Sequence, residues 1–110
     1  DYRPWGWFEN IAVSDMFKVK KIKVNPKSSL SLQSHKHRSE HWVIVEGQAK
    51  VTINQEAKII NVGESVFIPK GVIHRIENLN SFSVILIEVQ IGNYLEEDDI
   101  IRYEDEYSRK

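Results

Sequence analysis

The sequence predicts an all-β domain, a barrel or sandwich of about eight short strands, and three observations lead there. Valine and isoleucine together number 25, against 8 for leucine plus alanine, and β-branched side chains suit a pleated surface better than a helix. Short apolar runs recur along the chain, each closed by residues chemically fitted to turns. At 110 residues, 41% hydrophobic and 28% charged, the chain is sized for a single domain around one modest core.

Taken in order, the opening Arg3-Pro4-Trp5-Gly6-Trp7-Phe8 is aromatic and carries two backbone punctuators, so residues 1–15 read as an ordered strap over the barrel. The barrel core, residues 16–91, contains the runs Met16 to Val24, Leu30 to His37, Trp42 to Glu46, Ala49 to Ile53, Lys58 to Asn61, Ser65 to Ile68, Ile73 to Glu77 and Phe82 to Ile91. Between them stand Asn25-Pro26-Lys27-Ser28-Ser29, Gly47, Asn54-Gln55, Gly63, Pro69-Lys70-Gly71 and Asn78-Leu79-Asn80-Ser81, all turn formers. Ala49, Val51 and Ile53 alternate with Lys50 and Thr52, as in a strand with one face in the core and one in water. Phe82 to Ile87 is apolar on both faces, which requires a central position or a cover; a second subunit is the preferred cover, and a homodimer is expected. Residues 92–110 form a charged, solvated extension with one docked turn, for which Ile100, Ile101, Tyr103 and Tyr107 are the available anchors.

Several function classes are excluded early. Cysteine is absent, which removes disulfides, thiolate nucleophiles and sulfur-built zinc sites, so any metal must be held by histidine, carboxylate or amide. A formal charge of −1 gives no field for nucleic acid or anionic lipid, and neither a phosphate-cradling glycine loop nor a zinc knuckle is present. No apolar run approaches the ~20 residues of a membrane span and no leader peptide is visible, so a cytoplasmic protein is expected.

The chemistry concentrates in two segments. In the first, Gln33-Ser34-His35-Lys36-His37-Arg38-Ser39-Glu40-His41-Trp42, strand alternation points His35 and His37 to one side, with Gln33 on the same face. In the second, the Pro69-Lys70-Gly71 turn delivers His74 onto a returning strand facing that pair.

With these residues the chain resembles the cupin superfamily, whose pattern is Gly, His-x-His, Glu and Gly in one segment and Gly, Pro-x-Gly, His and Asn in the next. Gly63, Pro69, Gly71, His74 and Asn78 match the second motif throughout. The first departs twice: Ser29 stands at the opening glycine, and two residues rather than three or four separate His37 from Glu40, although Glu40 keeps its distance from Gly47. The resemblance implies a double-stranded β-helix, the cupin jelly-roll barrel, with His35, His37, Glu40 and His74 as ligands of one divalent metal. Such a set suits zinc first, with cobalt, manganese or iron as alternatives. Regular alternation from His35 would instead put His41 inside and Glu40 outside; Glu40 becomes a ligand only if a bulge or bend near Arg38-Ser39 shifts the phase. His41 is therefore the second choice, and Gln33 is either a ligand or a donor to one.

A closer resemblance covers nearly the whole chain. Arg3-Pro4-Trp5-Gly6, Leu30-Ser31-Leu32-Gln33, His37-Arg38-x-Glu40-His41-Trp42, Gly71-Val72-x-His74-Arg75-x-Glu77-Asn78 and Glu88-Val89-Gln90-x-Gly92-x-Tyr94-Leu95-x-Glu97-Asp98-Asp99-Ile100 are similar to the cupin domain of type II phosphomannose isomerases. That domain is commonly fused behind a mannose-1-phosphate guanylyltransferase domain, whose glycine-rich signature is not in this sequence. The chain is thus expected to be a stand-alone isomerase or an excised domain, without guanylyl transfer of its own.

The resemblance implies interconversion of mannose 6-phosphate and fructose 6-phosphate, feeding GDP-mannose and polysaccharide synthesis. That reaction passes through an enediolate, which needs a cation for its oxygens and a base for its proton. Base candidates are Glu88 and whichever of Glu40 and His41 is not a ligand. Arg75, Arg38 and Lys70 are candidates for the substrate phosphate, with Gln33 beside them, although alternation turns both arginines away from the metal. Competing readings are a metal-dependent dioxygenase and a non-catalytic binder of sugar phosphates or nucleotide sugars.

Overall fold

The computed structural model describes residues 1–104. Among them are eleven strands and no helix: Tyr2–Arg3 (β1), Gly6–Val13 (β2), Phe17–Val24 (β3), Leu32–Ser34 (β4), Arg38–Glu46 (β5), Gln48–Ile53 (β6), Glu56–Asn61 (β7), Ser65–Ile68 (β8), His74–Glu77 (β9), Val84–Gly92 (β10) and Ile101–Glu104 (β11). Without a helix, the described residues contain none long and apolar enough to cross a membrane. The strands form two antiparallel sheets, one ordered β1-β2-β3-β10-β5-β8 and the other β11-β4-β9-β6-β7.

The ladders divide the interior into two ends. On the inward face of β10, Val84 lies opposite Val24, and Leu86 lies between Ile22 and Ile44. These join Val51 and Ile76 of the other sheet in an apolar core. Two residues further along, Glu88 lies between Lys20 and Trp42, and Gln90 between Lys18 and Glu40. All six of these side chains are buried. The period-two pattern that fills one end with hydrocarbon therefore fills the other with charge and amide, and the functional site lies at that second end.

Three segments differ from the expectation. The opening residues are not a strap: β1 and β2 pair antiparallel and extend the six-stranded sheet through β3. Gly6 permits this, because a Cβ there would sit 1.9 Å from the Lys23 carbonyl oxygen, at a φ of +152°. The run Leu30 to His37 is not one strand. The chain leaves β4 after Ser34, bends at Lys36 and His37, and re-enters the other sheet as β5. It thus changes layers inside the segment whose alternation was assumed continuous.

The charged extension is also built in. Leu95 and Asp99 are buried, and β11 pairs with β4. Of its four expected anchors, Ile100 is half-buried, Ile101 and Tyr103 are exposed, and Tyr107 lies outside the described residues. The run that is apolar on both faces belongs to β10, which is central between β3 and β5.

Candidate metal centre

The layer change sets the geometry of the site. Because β5 starts after the bend, Arg38, Glu40, Trp42 and Ile44 share its inward face while His41 points out and lies against Phe67, ring centroids 4.7 Å apart. The phase shift that Glu40 required occurs at Lys36-His37, just ahead of the Arg38-Ser39 position expected for it. His74 enters from β9, where it lies opposite Gln33 of β4. One donor atom each from His35, Glu40 and His74 fall within 4.8 Å of one another, all three residues buried.

Both imidazoles are oriented by carbonyls that can only accept. His35 Nδ1 lies 2.7 Å from the Asp99 oxygen and His74 Nδ1 lies 3.0 Å from the Val72 oxygen. Each Nδ1 therefore carries the proton and each Nε2 keeps its lone pair. His35 Nε2 faces Glu40 Oε2 at 3.3 Å. Glu40 accepts from Trp42 Nε1 at 3.0 Å and from Arg38 Nε at 2.8 Å, two contacts that fix the orientation of its carboxyl group. Burial, reinforced by the Arg38 charge, pushes the His35 imidazole down to about 4, and burial lowers His74 too. Neutral imidazole is the form that binds a metal. Two neutral imidazoles with inward lone pairs and a buried carboxylate thus fit one divalent cation.

The site opens into a cavity of about 140 Å³. Glu88 lines it and accepts from Gln90 Nε2 at 2.7 Å. Burial, then the negative charge of Glu40, pushes the Glu88 carboxyl up to about 7.

The other residues singled out in the sequence are distributed as follows. His37 is outside the cluster, exposed, with its ring edge-on to Tyr94 at 5.3 Å. Gln33 borders the cavity and donates to Ser31. Arg38 is buried against the cluster, its Nη2 3.4 Å from His35 Nε2. Alternation alone would have turned it away. Arg75 borders the cavity with its Nε 3.7 Å from Glu77. Lys70 is exposed and lines a separate surface groove with Lys36 and Tyr103.

These positions also realign the first motif. Shifted by two residues, it reads Lys27, Gln33-x-His35, Glu40 and Gly47, with four residues between His35 and Glu40. Lys27 then occupies the opening glycine position, and its φ of +57° is the conformation glycine adopts most readily. Gln33 stands at the first histidine position and His37 drops out.

Residues missed in the sequence are Lys18, Lys20, Glu97 and Asp99. Lys20 Nζ bonds the Glu97 carboxylate at 2.8 Å and Lys18 Nζ bonds the Leu95 carbonyl at 2.7 Å. Burial would raise the Glu97 carboxyl, but the bond to Lys20 outweighs it and holds the group below its usual value. A signal for the lysines was available, since Lys18 and Lys20 continue the period-two face of Ile22 and Val24. Asp99 caps the bend: its carboxylate accepts from the Lys36 and His37 amides, both at 2.9 Å.

Comparison with known proteins decides the family. Residues 1–105 match the model described as "Mannose-6-phosphate isomerase C-terminal". The chain belongs to that family. A relative named "Mannose-1-phosphate guanylyltransferase ManC", from Salmonella typhimurium, is 50% identical over 98% of this chain. The "Xanthan biosynthesis protein XanB" of Xanthomonas campestris is 49% identical over the same share. The chain spans only 22% and 23% of their respective lengths. Among solved structures, a Klebsiella pneumoniae protein with a double-stranded β-helix domain superposes with a TM-score of 0.80, at 15% identity, covering 94% of this chain and 91% of that one. The cupin domain of Schizosaccharomyces pombe Cnp3 gives 0.75 at 17% identity, covering 77% and 63%. These structural likenesses establish the cupin fold for this member of the family.

Proposed function

We propose that the chain is a metal-dependent isomerase of hexose phosphates, interconverting mannose 6-phosphate and fructose 6-phosphate. The observation that carries this reading is the convergence of a three-donor cluster and a buried carboxylate, Glu88, on one cavity in a member of this family. His35, Glu40 and His74 hold the metal, zinc before cobalt, manganese or iron, with Gln33 beside them. When bound, the metal supplies positive charge to the carbonyl and hydroxyl oxygens of C1 and C2. Glu88 is the general base: its carboxylate takes the proton from C2 of the aldose, leaving an enediolate; the hydroxyl proton on O2 passes to O1, and Glu88 returns its proton to C1 to give the ketose. Arg38 and Arg75, which border the same cavity, serve the substrate's charge. His41 and Lys70 have no part, because they face outward. Trp5, Phe8 and Trp42 wall the cavity with hydrocarbon and limit the water that reaches the enediolate.

The test is a coupled assay on mannose 6-phosphate with the full chain, with and without a chelator. Turnover that disappears with chelation and returns with added divalent metal is expected. Ligand binding without turnover under any metal would overturn the reading in favour of a sugar-phosphate sensor, and substrate-dependent oxygen uptake would overturn it in favour of a dioxygenase.

A homodimer remains part of the proposal. Phe17, Val45, Phe67 and Ile91 are exposed on the outer face of the six-stranded sheet, each 43–48% accessible, and this is the apolar surface a second copy would cover. Fusion to a guanylyltransferase domain is compatible with it, the Salmonella relative named as a mannose-1-phosphate guanylyltransferase being matched over only 22% of its length.

A further inference from the structure

The phosphate-binding candidates adjacent to the histidines in sequence are unevenly placed: Lys70 faces away and Arg75 is engaged with Glu77. Other cations border the cavity alongside Arg38 and Arg75. The cavity is lined by Arg3, Lys20, Arg38, Arg75 and Arg102 against the carboxylates Glu40, Glu88 and Glu97, a positive excess in a chain whose formal total is −1. A cavity of that charge suits an anionic ligand.

The register identifies which cation is most available. Arg102 of β11 lies opposite Gln33 of β4, and Gln33 lies opposite His74 of β9. Directly paired residues in antiparallel strands project to the same side, so Arg102 faces the same side as His74. Its neighbours in β11 confirm the alternation: Ile101 and Tyr103 line the outer groove instead. Among the described residues Arg102 has no hydrogen-bond or ion-pair partner. Arg3, exposed at the other end of the chain, borders the same cavity and rests over the Phe8 ring. Deeper in, Arg38 is 6% exposed, and its Nη1 is buried with no hydrogen-bond partner among the described residues. A buried guanidinium nitrogen without a partner, on a residue that lines the cavity, is an unmet demand for an acceptor.

We infer that Arg102 and Arg3 form a phosphate-monoester subsite at the cavity mouth, with Arg38 as the inner cation, so that recognition of a phosphorylated over a free sugar is built from the two ends of the chain. The inference rests on the isomerase reading for the identity of the sugar, but the phosphate subsite stands independently of turnover. Guanidinium groups grip a phosphate bidentately where a lysine offers only a point charge. The C-terminal segment is the part that brings Arg102 into place, through the Leu95 and Asp99 contacts that seat it on β3 and the bend.

The experiment uses the full chain with R102Q, R3Q and R102K, and two probes, inorganic phosphate and mannose 6-phosphate, titrated by isothermal calorimetry and amide chemical shifts. Expected results are at least a tenfold loss of phosphate affinity in R102Q, a smaller loss in R3Q and partial recovery in R102K. Metal content should be unchanged in all three. In the isomerase assay R102Q should raise KM for mannose 6-phosphate about tenfold with kcat within threefold of wild type. If R102Q and R3Q bind inorganic phosphate as wild type does, the subsite is refuted even where isomerase activity is confirmed. If phosphate binding is lost in R102Q but no chain turns over mannose 6-phosphate, the subsite stands and the isomerase reading fails.

Discussion

Replacing Asp99 with alanine tests how the three-donor cluster is held in place. The Asp99 carboxylate accepts the Lys36 and His37 amides, both at 2.9 Å, while its main-chain carbonyl accepts the His35 Nδ1 proton at 2.7 Å. One residue thus shapes the bend and aims the imidazole. Removing two charge-assisted hydrogen bonds costs roughly 1.5–3 kcal/mol each when donors stay buried. Lys36 and His37 are exposed, so water recovers part of this, and the expected loss is about 3 kcal/mol in total. Burial raises the Asp99 carboxyl, but the two amides, with the charges of His37 and Arg38, outweigh it and leave the group below its usual value. A carboxyl depressed in the folded state stabilises it fully above the unfolded pKa, ~3.9, and loses that contribution as pH falls toward the folded value. Urea denaturation of wild type and D99A from pH 8 to pH 3 should therefore show a constant gap down to about pH 5 that narrows in more acid solution. A gap below about 0.5 kcal/mol at pH 7, or one that widens on acidification, would refute the capping role.

Other perturbations separate the cluster from its neighbours. H35A and H74A should each abolish stoichiometric metal binding by elemental analysis, whereas H37A and H41A should retain it, because those rings lie outside the cluster. E88Q should lower kcat by roughly 10²–10⁴ while metal content and the circular dichroism spectrum stay unchanged. G6A should destabilise by about 2 kcal/mol or more, seen as a lower thermal midpoint, since its Cβ would meet the Lys23 carbonyl at 1.9 Å. K20M should leave Glu97, which Lys20 holds at 2.8 Å, with only the longer 3.5 Å contact to Lys18, and loosen the C-terminal segment, read as faster amide exchange at residues 93–100.

Much of the fold was legible along the chain. The turn residues at Gly47, Gly63 and Gly71 each stand at positive φ, where glycine alone is unstrained, and the runs they separate became β5 to β9. The ends were harder to read. Their polar residues resemble a solvated tail until a partner is known: Lys18 and Lys20 look exposed until Glu97 and the Leu95 carbonyl meet them from residues 77–79 positions away. Motif spacing put Glu40 ahead of His41, but strand alternation could not support that order, because both faces of that segment tolerate burial and the bend at Lys36-His37 has no glycine or proline to announce it.

The sequence by itself determined that the chain builds antiparallel sheet and that His35, Glu40 and His74 are the right kinds of donor. Side-chain chemistry and a period of two are local properties, readable from near neighbours. Which of those donors meet was decided only by tertiary structure. The crossing between sheets resets the alternation, turning Glu40 inward and His37 outward, and the C-terminal segment then closes over the result. A change of layer is enforced by contacts between segments far apart in the chain, so no short stretch of residues could encode it alone.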